Sequence, residues 1–359
     1  MGIAKKIKEK KQEKRKEQLK HMTEREKVEE RREEVLSKGR KFKYPLQYAK
    51  HRVVFLTTII IVLAVAVLGG LFHFALYKAQ STDDVLYRIT RVIPVPVAKF
   101  GDASVRYSDY LLIYRSTITP VEQQGQLATG DDAVAMRNHY KRMALTAAED
   151  YAYAEKLARE NDITVTSEDV DKEITRQREA GGTERSVESF EKILNDNFGL
   201  SMREYRRMVE MALIKAKVQE KIDITAQNVV SEVRDLVKAG KSLKDISGTL
   251  SDKVVFEETG GLVDKMNIDG GRANAAIKLE PGKVSDAILS SSGDGFYFVQ
   301  LLSKNDTSVN YESLKISFTE FDKQVKQIRE KNDYKEYITI DDELSEEAVE
   351  TNDKESKKE

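Results

Sequence analysis

SVESFEKILNDNFGLSMREYRRMVEMALIKAKVQEKI, residues 186–222, spells out two amphipathic helices and the turn between them. From Ser186 to Asn195, Val187, Phe190, Ile193 and Leu194 fall on one helical face. Phe198-Gly199-Leu200 turns the chain, and glycine suits a helix end because it adopts left-handed backbone without strain. Ser201-Met202-Arg203-Glu204 is a capping box that opens a helix reaching about Ile222, with Met208, Met211, Ala212, Ile214 and Val218 as its apolar positions. Upstream, Thr166 and Asp169 stand at the same capping spacing and open a helix that Gly181-Gly182 breaks. Before that, residues 132–161 form a long helix. Its alanines (Ala144, Ala147, Ala148 and Ala154 among them) allow close packing. Ala98-Lys99-Phe100, Gly101-Asp102 and Ala103-Ser104-Val105 read as a small hairpin, after which Ser108 caps a helix carrying Tyr110, Leu111, Leu112 and Tyr114.

Further upstream, residues 53–76 read VVFLTTIIIVLAVAVLGGLFHFAL, without one Asp, Glu, Lys or Arg. As a helix this spans about 36 Å, enough for a hydrocarbon core of about 30 Å. Residues 1–52 hold 19 Lys/Arg against 9 Asp/Glu, whereas residues 77–359 hold 41 against 52, a net of −11. The basic excess before the span places the N-terminus in the cytoplasm and residues 77–359 outside, in a single-pass plasma-membrane protein. No small-x-small cleavage site follows the span, which favours an uncleaved anchor. Pro94 and Pro96 make residues 77–97 an extended linker between membrane and first domain.

Composition narrows the chemistry. The 359 residues include no cysteine and only four histidines, His21, His51, His73 and His139, so thiolate metal sites, cysteine nucleophiles and histidine triads lack material. No phosphate-binding glycine loop occurs, and Asp269-Gly270-Gly271 reads as a turn. The basic arm, residues 1–52, has no aromatic side chain before Phe42 on which a base could stack, so no nucleic acid is expected. Residues 341–359 carry nine acidic and three basic groups and read as a disordered tail.

The order of these features is specific. Val165, Val170, Asp171, Ile174, Phe190, Leu194, Gly199, Leu200, Ser201, Tyr205 and Arg206 stand in a pattern that resembles the N-terminal chaperone module of the SurA, PrsA and PpiD family of extracytoplasmic folding factors. That family places a parvulin-type peptidyl-prolyl isomerase domain next, and residues 226–304 resemble one. Gly260-Gly261-Leu262, then AAIKLEPGKVS at 275–285, then GFYFVQLL at 295–302 follow the parvulin order.

Two departures are plain. Parvulins open on a strand for which there is no room between Ile222 and Val229; residues 311–318, alternating apolar and polar from Leu314, are expected to fill its place in the sheet. The site histidines are also missing. Tyr297 stands at the strand position that carries one in active members, Arg272-Ala273-Asn274 replaces an expected aromatic, and Ile277 stands where another is common. Met266 is the candidate for the groove methionine, in a loop of different length.

The expected fold class is therefore α+β, organised as a cytoplasmic arm (1–52), a transmembrane helix (53–76), an extended linker (77–97), a helical chaperone module (98–225), a parvulin-like domain with a C-terminal strand (226–340, with 337–340 as that last strand) and a tail (341–359). The resemblance implies a membrane-anchored chaperone that binds unfolded exported polypeptides and needs no cofactor or metal. It implies a peptide groove with Met266, Ile277, Tyr297 and Val299 as candidates and no catalytic residue assigned. The alternatives are an active isomerase with a non-standard site and a structural adaptor of the cell envelope.

Overall fold

The computed structural model describes residues 23–43, 45–126, 130–179, 185–265, 267, 269–290 and 292–341. The chain is mixed α and β and divides into two compact units, Met1–Ala75 and Leu76–Glu359. In the first, α1 (Glu24–Lys43) begins with Thr23 and Glu26 bonded to each other in a capping pair. Helix α2 (Pro45–Tyr77) contains the apolar run. Its stretch Arg52–Tyr77 contains an 18-residue run of mean hydropathy 2.8, none of it buried, and is long and apolar enough to cross a membrane.

The second unit starts where α2 ends, and its first residues are held tightly. Leu76 is buried, and its carbonyl accepts from the Tyr107 hydroxyl at 2.8 Å. The Tyr77 hydroxyl donates to the Pro96 carbonyl at 2.8 Å. The expected extended linker is corrected here, because the nine-residue helix α3 (Asp84–Val92) occupies its middle. Tyr87 and Thr90, three residues apart, bury one face of this helix, while Asp84 in its first turn and Arg91 in its last match the helix dipole. The prolines at 94 and 96 restrict only their immediate neighbours, so they stop the helix without preventing it upstream.

Strands β1 (Pro96–Phe100) and β2 (Ala103–Arg106) form the expected hairpin, turned at Gly101 with φ +53°. Helix α4 (Tyr107–Gln123) starts immediately, so Ser108 lies buried inside its first turn and does not cap it. Helix α5 (Asp131–Glu160) is the long alanine-rich helix, packed on α4 and on α8. Three more follow: α6 (Ser167–Glu179), α7 (Val187–Phe198) and α8 (Met202–Ile222). The Thr166–Asp169 pair and the Ser201–Glu204 box cap as their spacing predicts. The residues of the sequence pattern meet in space. Arg206 pairs with Asp171, Tyr205 stands edge-on to Phe190 at 5.5 Å, and Gly199 ends α7 at φ +63°. The break expected at Gly181-Gly182 lies outside the described residues, as do residues 1–22 and 342–359.

A second layer system follows. Helices α9 (Ile224–Lys238) and α10 (Leu243–Thr249) precede β3 (Val255–Glu258), β4 (Val263–Asp264), α11 (Arg272–Ala276), β5 (Ile288–Leu289), β6 (Gly295–Lys304) and β7 (Ser308–Ser317). The antiparallel sheet runs β3-β7-β6-β5, with β4 also on β7. The segment expected at 311–318 thus lies in the sheet, and in its interior. Strand alternation sorts the hairpin cleanly. Phe298, Leu314 and Ile316 pack under α9 and α10 with Val233 and Ile246, while Tyr297, Val299, Leu301 and Tyr311 pack on the other face with Ala273 and Ala276 of α11. Gly295 has no substitute at the start of β6, since a Cβ there would stand 2.2 Å from the Ile316 carbonyl oxygen.

The chain then returns to the helical module. Helix α12 (Glu320–Glu330) packs on α8, and β8 (Tyr334–Glu336) joins the free edge of β1, giving a three-stranded sheet β2-β1-β8. This corrects the expectation that the parvulin-like domain runs to 340 with a last strand at 337–340. The strand falls three residues earlier and closes the N-terminal hairpin, because β1 offers unpaired backbone groups there. Ile338 and Ile340 are buried beyond it. Asp223 pins both ends of the excursion. One carboxylate oxygen accepts from the Ala226 N–H at 2.8 Å, capping α9, and the other from the N–H groups of Thr319 at 2.6 Å and Glu320 at 3.1 Å, capping α12.

Candidate functional site

Of the four groove candidates, three come together. Tyr297 and Val299 on β6 share one apolar cluster with Ile277, which follows α11. Met266 lies outside the described residues. Tyr297 and Val299 were expected to line an exposed groove; they are 4% and 0% exposed, enclosed between the sheet and α11. The reason is the run Arg272–Ala276, whose small residues let the helix settle directly onto the strands.

Around Tyr297 the polar groups pair among themselves. Its hydroxyl donates to Asp294 Oδ2 at 3.0 Å, and Lys315, its cross-strand neighbour, donates to the same oxygen. The Arg272 guanidinium stacks 4.7 Å from the ring centroid and binds Glu257. The Tyr311 hydroxyl donates to Asp269 Oδ2 at 2.6 Å. Asp269 also accepts from the N–H groups of Gly271 and Ala273, so Asp269-Gly270-Gly271 is the turn and cap that opens α11. Burial, then the neighbouring Asp294, push the Tyr297 hydroxyl above its usual range. Burial works against the Asp294 carboxylate, yet hydrogen bonds from Lys315, Ser290 and Tyr297 hold it below the usual range. Tyr297 therefore stays neutral and Asp294 ionised at neutral pH, and the tyrosine ring fills the position where the parvulin resemblance puts an imidazole. Twisting a prolyl amide needs a slot that holds the ring during a barrier of about 18–20 kcal/mol; this face is already packed.

A second feature lies in the helical module, where the sequence reading placed nothing. A cleft of about 460 Å³ opens between α3, the β2–α4 junction and α8, with Arg91, Arg106, Arg203 and Arg207 around it and Asp109 and Glu204 among them. Arg207 is bound by Asp109, Glu155 and Glu210; burial would lower its pKa, but these carboxylates raise it further. Glu204 is held by the Ser201 cap and by Arg115, which also reaches Asp84 at 2.7 Å and stacks 4.5 Å over the Tyr87 ring. Arg115 thus ties α3, α4 and α8 together. Arg203, Glu204 and Arg207 are neighbours on one turn of α8; Arg91, Arg106 and Asp109 are brought to them by the fold.

No curated protein matches the chain. The helices and hairpin described above do have a counterpart among known families. Residues 46–219 match the family model of the SurA-like N-terminal domain, so this part of the chain is similar to a chaperone-type module.

Proposed function

We propose that the protein is a membrane-anchored extracytoplasmic chaperone that binds unfolded exported polypeptides. In this reading residues 53–76 cross the plasma membrane once, with the N-terminus in the cytoplasm. Residues 224–318 form a parvulin-like domain whose isomerase site is degenerate. The observation that carries the reading is the SurA-like match over residues 46–219, which begins within the apolar helix and ends in α8. The basic excess before the span supports the orientation. Three features support the parvulin-like assignment: the glycine turn at 260–261, the AAIKLEPGKVS segment leading to β5, and β7 pairing with β6 where an opening strand is lacking. The enclosed Tyr297 supports loss of turnover.

The rival is an active isomerase with a non-standard site. The full chain in lipid nanodiscs, mixed with a short Xaa-Pro peptide, should leave the isomerisation rate at its uncatalysed value. Acceleration that disappears in Tyr297→Ala would establish the rival in its place.

A further inference from the structure

Helix α3 has two faces, and among the described residues only one has a partner in the fold. Tyr87 and Thr90 are buried against α4. On the opposite side Val85, Ile89, Val92 and Ile93 are 67%, 37%, 82% and 52% exposed. At 3.6 residues per turn, Val85, Ile89 and Val92 lie within about 60° of one another, so they make one stripe. Four adjacent aliphatic side chains facing outward form a patch rather than scattered exposure. Arg88, ion-paired with Asp84 at 2.7 Å, and Arg91 flank the stripe along one side, and Arg91 and Val92 continue it into the arginine-lined cleft with Arg106 and Arg203. This basic edge belongs to residues 77–359, whose net charge is −11, so it runs against the general charge of that part.

We propose that this face of α3 docks on the surface of the bilayer, its stripe set among the upper acyl chains and its arginines on anionic phospholipid headgroups. The inference rests on the reading of residues 53–76 as a membrane span. Two observations select the lipid surface as occupant. The stripe begins eight residues after the apolar helix ends at Tyr77, and Leu76 and Tyr77 are themselves fixed by hydrogen bonds to Tyr107 and Pro96, which keeps that connection short. The pattern itself, aliphatic face outward and arginine at its edge, is that of an interfacial helix. Helix α3 is held for this role by Arg115, whose ion pair with Asp84 and stacking on Tyr87 fix which face turns outward.

The chain has no tryptophan, so Ile89→Trp on the full chain supplies a single fluorescent reporter at an exposed position. In phosphatidylglycerol–phosphatidylcholine vesicles its emission should be blue-shifted, shielded from iodide, and quenched by lipids brominated high on the acyl chain. Leu302→Trp, exposed on β6, should show none of these. Arg88→Glu with Arg91→Glu should weaken the quenching of the reporter at position 89 in vesicles containing phosphatidylglycerol and leave it unchanged in pure phosphatidylcholine. Water-like emission open to iodide at position 89 would overturn the proposal. So would shielding without bromine quenching, which would mean that a second copy or another protein covers the stripe. Alkaline carbonate extraction separates the two levels of the argument. A chain that leaves the membrane removes the anchor and the proposal with it, whereas a retained chain with a wet position 89 removes the docking alone.

Discussion

Glu149 on α5 is 1% exposed and its nearest cation is Arg329 of the returning α12, at 2.9 Å. Burial raises its pKa to about 7, more than Arg329 and Arg142 pull it down, and Glu336 of β8 adds to the rise; Asp150 beside it shares Arg329 at 3.8 Å. The folded pKa stands above the ordinary value of 4.5, so the folded chain holds this proton more tightly than the unfolded one. The resulting stability is complete below about pH 4.5 and is lost as pH rises to about 7, by about 3 kcal/mol. Carboxylates with lowered pKa, Glu204 and Asp294 among them, act in the opposite sense at more acidic pH. Unfolding of the full chain, followed between pH 5 and 8, should therefore show falling stability that Glu149→Gln flattens. An unchanged slope in the variant would mean that Glu149 is ionised throughout. Nothing local in the sequence singles out Glu149, because its partners Arg329 and Glu336 lie far downstream. The capping residues Thr166 and Ser201 were legible because their partners lie three residues away.

At the scale of elements, locality again divides what could be read from what could not. The β1–β2 hairpin, helices α5 to α8 and the alternation of β7 follow from neighbouring residues. The pairing of β8 with β1 joins positions more than 230 residues apart and leaves no local mark. Helix α3 departs from the extended chain expected at 77–97 because Pro94 and Pro96 restrict only their immediate neighbours. Strand β7 carries the largest structural burden of any single strand in its sheet, since β3, β4 and β6 all pair with it. Leu314 at its centre is fully buried with Phe298 and Val233. Leu314→Ala should lower stability by about 2–5 kcal/mol, and hydrogen exchange should rise across β3, β6 and β7 together. Leu302→Ala, exposed on the same hairpin, should stay within about 0.5 kcal/mol of the parent. Equal effects at the two positions would place β7 outside the cooperative core.

The molecule as a whole joins an apolar helix, a helical module and a sheet-bearing excursion that leaves and re-enters the module at one carboxylate, Asp223. That double cap gives the sheet region a fixed base on the module. The groove candidates were legible as neighbours, since Tyr297, Val299 and Ile277 do meet. Their enclosure was not, because it depends on how closely α11 approaches the sheet. Binding of unfolded chain is the central claim, and light scattering tests it most directly. A chemically unfolded exported protein is diluted into buffer with the full chain in nanodiscs at equal molar amount, beside empty nanodiscs. Scattering should be suppressed by the loaded discs and not by the empty ones; the same rise in scattering with both would contradict binding of unfolded chain.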